Sequence, residues 1–469
     1  MFVKIIASIG PSSGNIETIC NMVKEGVRGF RINFAHGDQS EWKKYVEAVR
    51  EVEAKLGKPI ALIGDLEGPS LRLGKISKPI VLQKGEHIKI IYGNEVSDSN
   101  EKNVPMPIPK FFEYIDVGDI LIMDDGRTRL RIVDKGADSV EAIALTDSVI
   151  TSRKAIAIQG KELDLPALSD RDINSIKFAI ENDFDYIGLS YVRTAEDIDL
   201  LRDILRRAGR EDIGIISKIE TKSAIRNLSS ILEKSDIILV ARGDLGMNFG
   251  LEEIHYHQRY IVEKALENRK PVIVATQLLE SMTEKPVPTR AEVVDVSVAV
   301  EMGVDALMLT GETAVGKFPV EAVSWLNRIV VFVERHIMPK IIDRVSNKAR
   351  EHLETIQLKF AKGVLELAED LSAKLFVFSI HGNTARRIAA LKPKIPVYVA
   401  SQNIKVLRKL SILWGLSPFH INANSYEEGL QNMLSKAMDL KLISYGDLVV
   451  LTYGLKEPRQ KVEILRIMS

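Results

Sequence analysis

The sequence predicts a (β/α)8 barrel, interrupted by a small all-β domain and followed by a separate α/β domain. Three observations carry this prediction. Eight short apolar strands alternate with helical patterns. Polar residues recur at the C-terminal ends of those strands. The spacing breaks once, between the third and fourth strands, where a period-2 pattern takes over. Strands separated by helices pair in parallel, and eight such units suggest a closed barrel with its chemistry on the C-terminal face. A doubly wound open sheet is the competing architecture; the count of eight and the polar strand ends favour the barrel.

Taken in order, the strands are residues 3–8, 29–33, 60–65, 186–190, 213–218, 237–241, 272–276 and 306–310. Their ends carry Asn33, Asp65, Ser190, Lys218 with Glu220, Arg242 with Asp244, Thr276 and Glu312. Residues 1–74 and 159–340 form the two parts of the barrel. Between them, residues 75–158 contain alternating stretches at 87–92, 120–123, 129–133 and 139–144. Asp125-Gly126 reads as a hairpin turn between two of them. The Pro-rich run from Val104 to Pro109 reads as loop. This insertion is expected to stand over the barrel mouth as a lid; decoration is the bland alternative. Residues 341–469 form the third domain, with helices at 351–371 and 384–391 and strands at 375–379, 397–400, 448–452 and 462–467.

The composition narrows the function classes. With 469 residues, 45% of them apolar, the chain can bury a large core. Lys plus Arg and Asp plus Glu number 64 each, so no global field recruits nucleic acid or an anionic membrane. The single Cys20 excludes internal disulfides and cysteine metal clusters and fits a reducing compartment. No apolar run is long enough to span a bilayer, and no targeting segment is visible, so a cytoplasmic location is expected.

The stretch from Ile215 to Gly246 organises the chemistry. Side chains alternate along a strand, so Lys218 and Glu220 point to one side and Ile219 points away. The next strand ends at Arg242-Gly243-Asp244, which brings a second carboxylate to the same barrel face. Two carboxylates and an ammonium there suit a hard divalent cation and a phosphate-bearing substrate. A plain Lys218–Glu220 salt bridge is the alternative.

The motifs together resemble the pyruvate kinase family over nearly the whole chain. They are Ala7–Ser12, Arg31–Gly37, Asp65 through Gly68-Pro69 to Arg72, Asp124-Asp125-Gly126 and Leu165–Ser169. Then follow Ile215–Glu220, Ala241–Gly246, Ala275–Met282, Pro288–Glu292 and Leu309–Ala314. The family's architecture is the one read above from strand spacing.

The resemblance implies transfer of a phosphoryl group from phosphoenolpyruvate to ADP, giving pyruvate and ATP. It implies Glu220 and Asp244 as ligands of Mg²⁺ or Mn²⁺, and Lys218 and Arg31 as the cations on the transferred group. Gly243 and Asp244 lie in a loop leading into a helical turn, where free backbone N–H groups would bind the substrate carboxylate. Thr276 matches the threonine on the face of enolpyruvate that is protonated. Asn33, His36 and Arg72 match positions around the nucleotide phosphates, although His36 also suits a hydrogen-bonded loop. Many members use K⁺. Here Asn33 and Asp65 are kept, but Ala35 stands in place of a serine, Ser70 in place of an acidic residue and Leu73 in place of a threonine. The expectation is therefore activity without K⁺. In the third domain Ser379, Gly382, Asn383 and Thr384 resemble the loop that binds a phosphorylated effector, with His381 departing from the usual hydroxyl residue; a plain capping turn is the alternative. The family also implies a homotetramer. Two rival readings stand beside it: a metal-dependent carbon–carbon lyase on a similar barrel, and a sensor that has lost turnover.

Overall fold

The computed structural model describes residues 1–95, 102–123, 126–454 and 460–468. Its centre is a closed barrel of eight parallel strands. They are Lys4–Ile9, Val27–Asn33, Ala61–Asp65, Tyr186–Leu189, Gly214–Ile219, Ile237–Ala241, Val272–Ala275 and Ala306–Leu309. Each pairs with its sequence neighbour, and the first closes on the eighth with Lys4 opposite Ala306. The open sheet is thereby excluded.

Alternation sorts each strand between two apolar environments. Ile6, Ala61, Ile63, Ile216, Leu239, Ile273 and Met308 belong to one core, while Ile5, Phe30, Ile32, Leu62, Ile215 and Ile219 belong to another that includes the surrounding helices. Two residues beyond an inward Ile216 comes Lys218, and two beyond Ile63 comes Asp65. The inner face therefore changes from apolar to charged towards the strand ends. Capping residues set where the helices begin. Ser169 and Asp172 form a reciprocal box at the start of Asp170–Glu181. Asp172 also accepts from the backbone N–H groups of Glu67 and Gly68 at 3.1 and 3.2 Å, which anchors the loop leading to Arg72.

The inserted domain is a seven-stranded sheet plus a two-stranded ribbon, with its own apolar core around Leu82, Ile90, Phe111, Leu130 and Val140. The strands at His87–Tyr92, Ile120–Met123 and Ser139–Ala144 lie where the alternation put them. The expected hairpin is present, with Met123 opposite Thr128, although Asp124 and Asp125 themselves lie outside the described residues. The Pro-rich run is not all loop. Asn103–Met106 is a strand that pairs with His87–Tyr92 at the sheet edge, where Pro105 need not donate to a further neighbour. Pro109 then opens a short helix, at a position whose N–H would be unbonded anyway.

The third domain carries a five-stranded sheet, ordered Leu416–His420, Val397–Ser401, Lys374–Phe378, Leu448–Tyr453, Val462–Arg466. The sequence reading missed the first of these, an edge strand with Pro418 inside it, and the helices Ile404–Leu410 and Tyr426–Asp439. The helix expected over 351–371 starts only at Ile356, because the preceding helix runs to Arg350 and Thr355 caps the next. No helix among the described residues is long and apolar enough to cross a membrane.

One buried ion pair joins the third domain to the barrel. Lys392 Nζ lies 2.6 Å from Asp305 Oδ2, with both side chains at most 2% exposed. The same carboxylate accepts from the backbone N–H groups of Val272 and Trp414. Burial lowers the Lys392 pKa, and Asp305 opposes that shift. Lys392→Met would leave a buried carboxylate without its cation, a loss of about 3–5 kcal/mol. The expected result is a markedly lower urea midpoint; a midpoint equal to wild type would contradict it.

Candidate active site

Four side chains from three barrel strands and one strand-following loop converge at the mouth. Lys218 Nζ donates to Ser190 Oγ at 2.7 Å and lies 3.0 Å from Glu220 Oε1 and 3.4 Å from Asp65 Oδ2. Arg31 approaches the same Asp65 oxygen through Nε at 2.9 Å and Nη2 at 2.5 Å, and its Nη1 reaches Ser8 Oγ at 3.0 Å. Register explains the meeting: Ser8 lies opposite Arg31, and Asn33 opposite Asp65, on adjacent strands.

The charges shift one another. Burial alone would depress the Lys218 ammonium, but Asp65, Glu220 and Asp244 hold its pKa well above the ordinary value. Asp65 is also buried, and Lys218 and Arg31 outweigh that burial to keep it below the usual carboxylate range. Glu220 goes the other way. Burial pushes its pKa up to about 7, with Lys218 pulling down and Asp244 pushing up. Two cations thus stand poised for an anion, while one carboxylate is held in an environment that favours neutralisation.

Tyr191, which the sequence reading passed over, holds both candidate metal ligands. Its backbone N–H donates to Glu220 Oε2 at 2.7 Å and its hydroxyl donates to Asp244 Oδ1 at 3.0 Å. Its φ of 53° is left-handed, a conformation that a bulky residue adopts at a cost. The other Glu220 oxygen, Oε1, is buried and takes no hydrogen bond, despite its ion-pair distance to Lys218. A buried carboxylate oxygen whose near neighbour is the Lys218 ammonium, and which takes no further donor, keeps lone pairs that a bound cation can use. Among the described residues no group of three or more His, Cys, Asp or Glu side chains could hold a metal. Two carboxylates suit Mg²⁺-type binding, in which water and substrate oxygens complete the shell.

Thr276 joins the sixth and seventh strand ends. Its Oγ1 accepts from the Gly243 N–H at 2.8 Å, so that donor, expected to be free, is engaged. Thr276 and Gln277 both have left-handed φ, at 68° and 52°. Arg242, buried, holds them there, with Nε and Nη2 on the Thr276 carbonyl at 3.0 and 2.9 Å and Nη1 on Asp295 at 2.5 Å. A β-branched residue in this conformation persists only when its surroundings impose it.

Beside this cluster lies a cavity of about 550 Å³. Arg31, Asn33, His36, Thr276 and the end of the first strand with the turn after it, Ser8 to Pro11, line it. His36 has its imidazole held below its ordinary pKa by burial and by Arg72 and Arg31. Arg72 does not line the cavity. It pairs with Glu67 at 2.6 Å and reaches the Arg153 carbonyl at 3.2 Å, at the junction with the inserted domain. In the third domain, Gly382 has φ 76° and precedes the helix Asn383–Ala390, while Ser379 and Thr384 are buried beside it.

Comparison with known proteins points the same way. Residues 2–323 match the family model of the pyruvate kinase barrel domain, and residues 359–468 that of the pyruvate kinase alpha/beta domain. The pyruvate kinase of Pyrobaculum aerophilum is 41% identical over 466 residues, which cover 98% of this chain and 96% of that one. That of Aeropyrum pernix is 38% identical over 467 residues, covering 100% and 98%. The crystal structure of pyruvate kinase from Pyrobaculum aerophilum superposes with a TM-score of 0.84 at 39% identity, over 99% of each chain.

Proposed function

The chain belongs to the pyruvate kinase family, and from that premise we propose how its own residues divide the family's reaction, transfer of a phosphoryl group from phosphoenolpyruvate to ADP. The observation that supports the division best is the cluster in which Lys218, Arg31, Asp65 and Glu220 lie within ion-pair reach beside the 550 Å³ cavity.

Phosphoryl transfer has little covalent work for a protein to do; position and charge carry it. Lys218 presents a point charge to the group in flight, while Arg31 grips an equatorial oxygen with a planar fork. For either cation to reach the phosphoryl group, the substrate must compete with Asp65, whose oxygen both now share. Glu220 and Asp244, held by Tyr191, would bind Mg²⁺ or Mn²⁺. That ion would neutralise developing charge and orient the substrate carboxylate. Loss of the phosphoryl group leaves enolpyruvate, which must gain a proton at carbon. Thr276, fixed in its strained backbone by Arg242, stands on that face and relays a proton through water. The cavity beside it takes the nucleotide, with Asn33 and His36 in its wall; Arg72, outside that wall and paired with Glu67 at the junction with the inserted domain, would have to leave that carboxylate to reach the phosphates.

The test is pyruvate formation from phosphoenolpyruvate, with and without ADP, in the presence of a divalent ion. Turnover that requires ADP supports the reading. Pyruvate release without ADP, or cleavage of a longer 2-oxo acid, would point to the lyase chemistry that a similar barrel can hold.

K⁺ is not expected to be needed. Oxygens left at the expected site, which includes the backbone carbonyl of Leu66 where the family has a threonine, already have partners. Asn33 Oδ1 accepts from the Ala35 N–H at 3.1 Å, the Leu66 carbonyl from Ser190 Oγ at 2.7 Å, and Asp65 from Arg31. A weakly charged ion needs a full set of oxygens to offset its dehydration. Turnover in tetramethylammonium salts should therefore match turnover in K⁺ at equal ionic strength. A rise of about tenfold on adding K⁺, roughly 1.4 kcal/mol of barrier, would overturn this.

The same reading takes the protein as a cytoplasmic homotetramer, with a phosphorylated effector at Ser379, Gly382, Asn383 and Thr384. The family match and the left-handed glycine turn support it. Sedimentation velocity, with and without a sugar bisphosphate, tests both points.

A further inference from the structure

At the opposite end of the barrel from the catalytic cluster, the strand starts and the third domain enclose a second cavity, of about 620 Å³. Tyr186, Gly214, Ile237 and Pro271, at the feet of the fourth to seventh strands, form one wall. The other wall comes from the beginning of Ile356–Asp370 and from Asn383–Ala390 and Ile404–Leu410. Its size lies within the range of small-molecule sites. None of Ser379, Gly382, Asn383 or Thr384 lines it.

Its charge is unbalanced. Five cations line it: Arg269, Lys270, Arg386, Arg387 and Lys409. Among the described residues none of the five has a carboxylate within 4.0 Å. Four of them give hydrogen bonds only to backbone carbonyls, such as Lys270 to Ser235 at 2.8 Å and Lys409 to Asp212 at 2.5 Å. The Arg387 guanidinium makes no hydrogen bond at all among the described residues. Three carboxylates also face the cavity, but arginines outside its lining already hold them. Glu211 pairs with Arg206 at 3.1 Å, Asp212 with Arg210 at 2.9 Å and Asp236 with Arg202 at 3.0 Å. The cations respond to burial and to each other. Burial lowers the pKa of Lys409, Arg387 and Lys270, and Arg386 lowers the first two further, while Asp212 and Asp236 oppose the shift at Lys409 and Asp236 opposes it at Lys270.

A water-filled gap at a domain junction would be the ordinary explanation of the space. It does not account for five cations gathered against three carboxylates that arginines outside the lining already hold, since a concave wall with an excess of one sign focuses its field on whatever enters. We propose that this cavity binds a small phosphorylated metabolite carrying at least two negative charges, held between the barrel and the third domain. Guanidinium groups suit phosphate oxygens because their planar forks donate in pairs. Among the described residues no acceptor takes a hydrogen bond from the Arg387 guanidinium, which leaves its donors available for that role. The strands whose feet line the cavity carry Tyr191, Lys218, Asp244 and Thr276 at or just beyond their other ends, so a ligand here touches the elements that position the catalytic groups.

Inorganic pyrophosphate serves as the probe, titrated calorimetrically into the full chain at low ionic strength without divalent metal. The measurement is made in a Lys218→Met background, which weakens anion binding at the catalytic mouth. Saturable binding and a raised thermal midpoint are expected. Adding Arg386→Gln and Arg387→Gln together should weaken binding at least tenfold and remove the midpoint shift. In an otherwise wild-type chain, Arg387→Gln alone should leave turnover without pyrophosphate unchanged. Arg387→Lys, which keeps the charge, should recover part of the binding and guards against a folding artefact. Absence of saturable binding in the Lys218→Met chain, or equal binding with both arginines replaced, would overturn the proposal.

Discussion

Lys218→Met should lower ATP formation by at least about 10²–10³-fold, the usual loss when a preorganised donor to developing charge is removed. Methionine keeps the length and apolar stem but removes the charge that now sits 2.7 Å from Ser190 and 3.0 Å from Glu220. Arg31 remains on Asp65, so that carboxylate does not become an unpaired buried charge. The enolate half-reaction needs no cation on a transferred phosphoryl group. Exchange of pyruvate methyl protons with solvent, followed by NMR with metal and a phosphate analogue present, should therefore continue. If exchange and phosphoryl transfer vanish together while circular dichroism shows an intact fold, the separation of roles is wrong.

Glu220→Gln should weaken divalent metal binding by at least about tenfold to a hundredfold; losses of that size follow even from removal of groups that only support a ligand. Glu220 is fully buried, and its Oε1 takes no hydrogen bond. A neutral amide there keeps the shape but supplies a poorer donor to a hard cation, and it turns one former oxygen into an NH₂ that repels one. Free Mn²⁺, counted by its electron paramagnetic resonance signal during titration, reports the affinity without requiring turnover. Mn²⁺ binding equal to wild type would remove Glu220 from the ligand set. Tyr191→Phe offers a graded companion, since it loses only the 3.0 Å bond to Asp244 and keeps the backbone bond to Glu220.

Part of this site is legible in the sequence. Lys218 and Glu220 share a side because side chains alternate along a strand, and the motifs assigned Arg31, Asp244 and Thr276 their places. Three supports were not legible. Tyr191 acts through its backbone N–H as much as its hydroxyl, and a backbone donor leaves no mark on residue type. Arg242 was visible as a polar strand end, but its grip on the carbonyls of Thr276 and Gln277 depends on the neighbouring strand's turn. The Gly243 N–H, expected to be free, is taken by Thr276. In the inserted domain, proline content argued for loop where an edge strand forms, because edge position, not composition, decides whether a missing donor matters.

What the sequence by itself determined is the set of short-range facts: eight strands and their helices, the insertion point, the alternation that turns charge inward at the strand ends, and the family's motifs. The strands, helices, insertion and alternation depend on periodicities of two and 3.6 residues and on local turns, all of which act within a few residues, while the motifs are short runs of residues that resemble the family's. Only the tertiary structure decided what crosses the chain. It put Asp65 against Lys218 over a separation of 153 residues and Tyr191 against Asp244 over 53. It also drew into one cavity at the barrel's foot five cations that, among the described residues, have no carboxylate in ion-pair reach. Such meetings follow from barrel closure and domain docking, and the direction and strength of each charge depend on burial and neighbours that no single stretch of sequence contains.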